Sequence, residues 1–140
     1  MFQKPGIKPQ TAVVLKGDKG VGKNAFFDHL SALLGTHAMT TSNRRYLVGN
    51  FNVHLEKCLL LVLDEAFWSG DKQTEGILKD LITGKEHVIE PKNREVYKVA
   101  NKTRVAILGN EDWLVPASEN ERRYAVFNVG NKKMQDIPFF

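Results

Sequence analysis

Residues 11–34 have the sequence TAVVLKGDKGVGKNAFFDHLSALL, and this stretch decides the fold. Residues 11–16 are rich in β-branched side chains, which predicts a buried strand. Three glycines follow, at positions 17, 20 and 22. Residues 23–34 then predict a helix that ends before Gly35. Its apolar residues at helical spacing are Phe26, Phe27, Leu30, Leu33 and Leu34.

The glycine-rich turn fits the pattern G-x-x-x-x-G-K at residues 17–23. In such a loop, backbone N–H groups curl around phosphates and the helix N-terminus adds a favourable dipole. Lys23 would reach the β- and γ-phosphates, and Asn24 stands where a Mg²⁺-binding Ser or Thr is usual. The alternative is a strand–helix turn without a ligand. The predicted phosphate-binding residues are Gly17, Asp18, Lys19, Gly20, Val21, Gly22, Lys23 and Asn24.

A second buried strand is predicted at residues 58–63, and it is followed by two acidic residues, Asp64 and Glu65. Beside a phosphate loop, Asp64 would hold Mg²⁺, directly or through water. Glu65 would orient and deprotonate the attacking water. The alternative is a solvated acidic pair at the end of a strand.

The rest of the chain alternates helices with short strands. We predict a helix at residues 72–83, a β-hairpin from residues 87–90 and 95–99, and strands at 104–108 and 124–129. Residues 36–54, which include Arg44, Arg45 and the triplet NFN at 50–52, show no clear pattern. The chain is predicted to be one domain, with an extended lead-in at 1–10, a core at 11–129 and a tail at 130–140.

This alternation predicts an α/β fold of three layers, with a mostly parallel central sheet covered by helices on both faces. In such sheets, ligands bind beyond the carboxyl ends of the strands. Asn110 follows the strand at 104–108, so its amide is predicted to hold a γ-phosphate or a water molecule at that edge. The alternative is a turn asparagine after Gly109.

Two clusters of basic residues are further candidates. Arg122 or Arg123 would stabilise the charge of a transferred phosphoryl group across a subunit interface, since adjacent side chains of an extended chain point in opposite directions. The alternative is a surface pair. Lys92, Asn93 and Arg94 lie at the predicted hairpin tip, where they suit sequence-independent contacts to DNA phosphates. The alternative there is a solvated hairpin face.

Composition limits the class of protein. The 140 residues are 42% hydrophobic and 26% charged, which is typical of one soluble domain. The only cysteine, Cys58, excludes an internal disulfide framework and favours a reducing compartment such as the cytoplasm. The longest apolar run has six residues, far fewer than the ~20 that span a bilayer. We therefore expect no secreted, membrane or disordered protein. The net charge of +4 decides nothing about partners.

Taken in order, the segments GDKGVGKN, LLLVLDE, EPKNRE, RVAILGN and ERRY resemble one family. It is the superfamily 3 helicases, which are P-loop ATPases of the AAA+ class in small DNA viruses, phages and plasmids. The helicase modules attached to phage and viral primase-polymerases are the most similar. The resemblance covers residues 11–129.

This resemblance implies a homo-hexameric ring with ATP and Mg²⁺ between subunits, and a pre-sensor hairpin that projects into a channel for single-stranded or forked DNA. It implies that Lys23 and Asn24 belong to Walker A and that Asp64 and Glu65 form Walker B. Lys92 would be the hairpin-tip lysine, Asn110 the sensor, and Arg122 or Arg123 the arginine finger.

Two departures bear on the resemblance. Asn24 replaces a hydroxyl residue, and the chain carries neither a primase portion nor collar helices, so an ATPase core of this size could be monomeric. The resemblance also implies a primase-polymerase portion in the same or a partner chain, in the cytoplasm of an infected cell.

The expected function is an ATP-dependent DNA helicase or translocase module of a phage or viral replication protein. Two other functions remain open from the residues alone. A P-loop kinase for a small acceptor would use the phosphate loop but not Asp64, Glu65 and Asn110. A nucleotide-binding module without catalysis would fit the asparagine at position 24.

Overall fold

A five-stranded parallel sheet lies at the centre of the computed structural model, which describes residues 3–4, 6–49, 52–64, 72–110 and 122–132. The sheet has the order β2-β3-β6-β1-β7, and the remaining two strands form an antiparallel hairpin. Each pairing within the larger sheet is parallel, which confirms the predicted mostly parallel sheet. The strands are β1 Ala12–Lys16, β2 Ala38–Thr41, β3 Leu60–Asp64, β4 Glu86–Ile89, β5 Tyr97–Ala100, β6 Arg104–Gly109 and β7 Tyr124–Asn128.

The described residues form three α-helices, and the two long ones have the predicted bounds. They are α1 Lys23–Leu34, α2 Arg45–Val48 and α3 Lys72–Thr83, with 3₁₀ turns at Gly35–His37 and Val53–Leu55. The two long helices have 12 residues each. No helix in the described ranges is long and apolar enough to cross a membrane.

The core is divided between the two faces of the sheet. On one face, Phe27 of α1 packs with Leu60, Val62, Ala106 and Leu108. On the other face, the next residues of β3 and β6 pack against α3. Every residue of β6 and the first four of β3 are buried, because a strand covered on both faces has no solvent side. The arrangement is three layers, with α1 and α3 on opposite faces.

The buried face of α1 is narrower than predicted. Phe27 is buried, and Leu30 and Leu34 pack partly against the same cluster. Phe26 is 60% exposed and Leu33 is 83% exposed, so the prediction that they belong to the buried face was wrong. At 100° per residue, these two side chains point to the flank of the stripe, beyond the edge of the sheet contact.

The region without a clear pattern contains the edge strand β2, the short helix α2 and the turn at Val53–Leu55. β2 has the sequence AMTT, and only its last residue is buried. An edge strand of four residues with half-exposed side chains has neither the apolar run nor the alternation that identifies a strand. Its pairing with β3 places it in the sheet.

The predicted hairpin is present as β4 and β5. The tip residues Lys92, Asn93 and Arg94 are all exposed, and Asn93 has a φ of 58° in the left-handed region that tight turns require. At the base, the Asn101 N–H donates to the carbonyl of Lys85 at 2.9 Å. The basic tip residues are therefore open to solvent.

Candidate functional site

The ends of three neighbouring strands bring the candidate residues to one edge of the sheet. β6 lies between β1 and β3, with Lys16 opposite Gly109 and Asp64 opposite Leu108. Because all three strands are parallel, the loop after β1, the acid at the end of β3 and the asparagine after β6 share the carboxyl edge. This is the edge at which α/β sheets bind ligands.

The glycine loop after β1 depends on its three glycines for two reasons. Gly20 and Gly22 have φ values of 87° and 88°, a conformation that other residues adopt only at a cost of about 1–2 kcal/mol. A Cβ on Gly17 would lie 2.6 Å from the carbonyl oxygen of Val129, which follows β7. The loop therefore curves tightly and packs against the neighbouring chain segment.

Lys23 is the first residue of α1, and its side chain turns back into the loop. The Nζ atom donates to the carbonyl oxygens of Gly17 at 2.5 Å and Asp18 at 2.8 Å. The residue is only 9% exposed. A helix N-terminus carries a partial positive charge, so a cation there is unfavourable until an anion joins it.

The first turn of α1 has no acidic residue and no side-chain cap. Its N–H groups therefore lack the side-chain partners that usually satisfy them. Together with the ammonium of Lys23, they favour an anion over any neutral ligand.

Asn24 and Asp64 are joined across the site. The Asn24 Nδ2 atom donates to Asp64 Oδ2 at 2.6 Å. The contact holds the Asp64 carboxylate against the side chain of Asn24, the second residue of α1. Carboxylate and amide oxygens are hard ligands of the kind that Mg²⁺ binds.

These groups line a cleft of about 180 Å³. Lys19, Gly20, Lys23, Asn24, Asp64, Gly109 and Asn110 form its walls. A neighbouring cleft of about 370 Å³ lies on the other side of the loop and includes Gly17, Asp18 and Asn110. Of the predicted residues, the structure thus brings together the loop, the first acid and the asparagine after β6. Val21 and Gly22 line neither cleft, and Glu65 lies outside the described residues.

The two candidate arginines lie at the opposite edge of the sheet. Arg122 and Arg123 precede β7, and the Arg123 carbonyl accepts the Ala12 N–H at 2.7 Å, at the start of β1. The five residues of β7 span about 16 Å. Neither arginine therefore reaches the cleft of its own chain. Lys92, Asn93 and Arg94 at the hairpin tip are not part of the cleft either.

Sequence reasoning missed a polar cluster at the amino edge of the sheet. Arg104 is 1% exposed, and its guanidinium donates to the carbonyls of Lys102 at 2.7 Å, Lys4 at 3.2 Å and Ile7 at 3.1 Å. Burial lowers its pKa. The sequence offered one indication of this cluster, because a charged residue, Arg104, is the first residue of a buried strand. This cluster holds the lead-in against the sheet.

His87 of β4 lies near the same cluster. Its Nε2 atom is 3.0 Å from the Thr103 hydroxyl. Because that hydroxyl donates to the Cys58 carbonyl, Nε2 carries the proton that the hydroxyl accepts. Burial, with the nearby Lys8 charge, lowers the His87 pKa to about 4. Burial also lowers the Lys8 pKa to about 8 and raises that of Cys58 to about 11, so this thiol is unreactive.

No group of three or more His, Cys, Asp or Glu side chains that could hold a metal ion occurs in the described ranges. A site for a tightly ligated transition metal is therefore not formed by those residues. The Asn24 and Asp64 pair is of a different type, since Mg²⁺ in proteins commonly takes one or two carboxylates and completes its shell with phosphates and water.

Residues 15–123 match a protein family of unknown function, DUF5906. Curated proteins include no significant match to the chain. Solved structures of the C-terminal region of NrS-1 share the fold.

One apo structure of that region, residues 305–718, superposes with a TM-score of 0.78 and 25% identity, over 91% of this chain and 32% of that chain. The A-form apo structure has a TM-score of 0.76 and 26% identity, over 94% and 31%. This chain therefore spans about a third of the length of the NrS-1 region.

Proposed function

The chain belongs to the DUF5906 family, and we propose that it is the ATP-hydrolysing module of a phage DNA replication protein, of the superfamily 3 helicase type. The similarity to the NrS-1 C-terminal region supports a phage replication-protein module. The carboxyl edge of the sheet supports the ATPase. The single observation that carries the proposal is the cleft in which Lys23 faces the pair formed by Asn24 and Asp64.

A triphosphate suits this cleft for electrostatic reasons. The ammonium of Lys23 and the N–H groups of α1 place positive charge on one wall. The glycine loop lets backbone N–H groups approach the phosphates without side chains between them. On binding, the Lys23 ammonium would exchange the carbonyls of Gly17 and Asp18 for phosphate oxygens, which are stronger acceptors because they are charged.

The pair formed by Asn24 and Asp64 suits Mg²⁺. The Asp64 carboxylate and the Asn24 amide oxygen would hold the ion, which when bound neutralises charge that develops on the phosphates. Because the Asn24 amide already donates to Asp64, the carboxylate is oriented before any ion arrives. The donor set therefore fits the cofactor that the phosphate loop implies.

The remaining groups have separate roles in the proposed hydrolysis. Asn110, at the end of the central strand β6, would orient the γ-phosphate or the attacking water. Glu65, next in sequence to Asp64, would take the proton of that water. Arg122 and Arg123 lie at the other edge, so they would serve the cleft of a neighbouring subunit. This division supports a homo-oligomeric ring.

The hairpin is the proposed contact with single-stranded or forked DNA. Lys92 and Arg94 are exposed at its tip, and Asn93 between them forms the turn. Two cations on a projecting hairpin contact phosphates without reading bases, which suits a protein that moves along DNA. ATP hydrolysis at the cleft would drive that movement.

The test is steady-state ATP hydrolysis with and without single-stranded DNA, in wild type and in the variants Lys23→Ala and Glu65→Gln. We expect turnover that DNA stimulates, with a loss of at least about 100-fold in both variants. The matched control is Lys57→Ala, which removes an exposed lysine that does not line the cleft and should leave turnover within about twofold of wild type. Undiminished turnover in both variants would contradict the proposal.

One observation favours a second candidate, a nucleotide-binding module without catalysis. Asn24 stands where a hydroxyl is usual, and its amide occupies an oxygen of Asp64. In that case ATP would bind tightly and remain unhydrolysed at high protein concentration. The same measurement distinguishes the two functions.

A further inference from the structure

Asn52 connects the hairpin to the body of the protein. Its Nδ2 atom donates to the Val88 carbonyl at 2.7 Å, and its Oδ1 atom accepts the Glu90 N–H at 2.9 Å. Both backbone groups belong to β4 or to the residue that follows it. Asn52 is the last residue of the triplet NFN, which the proposed ATPase does not use.

The Asn52 amide makes the hydrogen bonds that a paired strand would make with β4. A carbonyl at position i and an N–H at i+2 point to the same side of a strand, where a paired strand would supply one donor and one acceptor. The primary amide of Asn52 supplies one of each to residues 88 and 90. The other side of β4 pairs with β5. One side chain thus occupies part of the free edge of the hairpin.

The contact with Asn52 lies close to the hairpin tip. At the base of the hairpin, the Asn101 N–H donates to the Lys85 carbonyl and His87 Nε2 donates to the Thr103 hydroxyl. Asn52 instead holds the distal end of β4, directly before the turn that carries Lys92 and Arg94. On β5, the Tyr97 hydroxyl donates to Glu56 at 2.8 Å, and Tyr97 is the register partner of Ile89. Both distal ties go to residues 52–56.

Residues 52–56 also lead directly into β3. That strand begins at Leu60 and ends at Asp64, which contacts Asn24 in the cleft. Residues 52–56, which form hydrogen bonds with the hairpin, therefore precede β3, the strand that ends with the proposed Mg²⁺ ligand Asp64.

We infer that Asn52 is the positioning residue of the hairpin, and that its amide sets the direction in which Lys92 and Arg94 meet DNA. The role in DNA binding rests on the proposed function. Asn52 does not line the candidate nucleotide cleft, so its loss is expected to change the response to DNA and not the hydrolysis that occurs without DNA.

The first measurement is amide hydrogen exchange at Glu90 in the protein that carries this chain. In wild type the N–H is protected by Asn52 Oδ1. In Asn52→Ala we expect exchange at least about tenfold faster, because no acceptor remains. In Asn52→Asp the carboxylate still accepts the N–H, so protection at Glu90 persists while the donor to Val88 is lost.

The second measurement is the concentration of single-stranded DNA that gives half-maximal stimulation of ATP hydrolysis. For Asn52→Ala we expect an increase of about tenfold, with turnover without DNA and the KM for ATP within about twofold of wild type. The matched control is Asn43→Ala, which loses an asparagine hydrogen bond to Arg45 nearby and leaves the hairpin untouched. Tyr97→Phe removes the second distal tie and is expected to act in the same direction.

The results separate the inference from the proposed function. A wild type that DNA stimulates, with an Asn52→Ala variant that responds equally, overturns the inference and leaves the proposed function standing. A wild type that DNA does not stimulate overturns the proposed function and the inference with it. If Asn52→Ala does not fold, Asn52→Asp and Tyr97→Phe decide, and a normal DNA response in both overturns the inference.

Discussion

Two buried cations hold backbone carbonyls at opposite edges of the same sheet, and they differ in what else surrounds them. Lys23 binds two carbonyls of the loop at the carboxyl edge and lines an open cleft. Arg104 binds three carbonyls at the amino edge and is 1% exposed. The first also stands at a helix N-terminus, where its charge is unfavourable.

The difference shows how a functional cation is distinguished from a structural one. Hydrogen bonds to carbonyls are common to both residues, so such bonds alone assign no role. Lys23 has an unfavourable dipole and adjacent open space, and both are remedied by an anionic ligand. Arg104 is surrounded by its carbonyl partners and packs the lead-in onto the sheet. The two residues should therefore respond in opposite ways to replacement.

The largest effect is expected for Lys23→Met on catalysis. Removal of the ammonium should lower kcat for ATP hydrolysis about 1000-fold, equivalent to about 4 kcal/mol of transition-state stabilisation. The free energy of unfolding should change by less than about 1 kcal/mol, because the lost hydrogen bonds are offset by the relieved dipole. Turnover assays and urea unfolding measure the two quantities. A Lys23→Met variant with a much lower free energy of unfolding and a normal kcat would show that Lys23 is structural and not catalytic.

The next effect is expected for Arg104→Met on stability. Three partly buried carbonyls lose their donor and the buried Arg104 side chain loses its packing, which should lower the free energy of unfolding by about 3 kcal/mol in urea titrations. Nucleotide affinity of the folded fraction should stay within about twofold of wild type. The exposed neighbour Lys102→Met provides the control, with a change below about 0.5 kcal/mol. Equal stability of Arg104→Met and Lys102→Met would show that the amino edge is not held by this cation.

A smaller effect is expected from pH near the amino edge. The His87 pKa is about 4 in the folded chain and about 6.5 when exposed, so the unfolded state binds more protons between these values. Stability should thus fall as pH drops from 6.5, by about 2 kcal/mol at pH 4.5. The charge of Lys8 adds to the burial of His87, whereas Asp80 and Asn101 oppose it.

His87→Gln keeps a donor for Thr103 and does not titrate in this range. The difference in unfolding free energy between wild type and this variant, measured from pH 7 to pH 4.5, isolates the histidine from other titrating groups. Parallel curves for the two proteins would disprove the assignment.

The smallest effect is expected at Asn24, which follows Lys23 on α1 and lines the same cleft. Asn24→Ala loses the donor that orients Asp64, so the Mg²⁺ concentration for half-maximal hydrolysis should rise about fivefold, or about 1 kcal/mol. Asn24→Thr, which restores the usual hydroxyl, should stay within about twofold. A larger loss in Asn24→Thr than in Asn24→Ala would show that the amide has a role that a hydroxyl cannot fill.

The sequence was most informative where local chemistry is strong. The ends of α1 and α3 were predicted correctly, because glycines follow both helices and apolar residues recur at helical spacing. The central strands β1, β3 and β6 were predicted because their apolar runs are continuous. At the carboxyl edge, a short motif places Lys23 and Asn24 together, and the parallel sheet brings Asp64 to them. Their roles in ATP hydrolysis stay predictions.

Long-range contacts explain what was missed. Arg104 forms hydrogen bonds with residues about a hundred positions away, and Asn52 forms one with β4 across 36 positions. A local sequence pattern cannot predict contacts between residues so far apart in the chain. β2 has too few buried residues to identify it as a strand. The exposure of Phe26 and Leu33 depends on the width of the sheet beneath α1, which periodicity alone does not give.

The placement of Arg122 and Arg123 at the edge remote from Lys23 has a consequence for mixtures. If these arginines serve the cleft of an adjoining copy, a subunit without Lys23 still carries a working arginine, and one without the arginines still carries a working cleft. Two preparations that are each inactive would then recover ATP turnover when they are combined. A chain that hydrolyses ATP without help from another copy would show no such complementation.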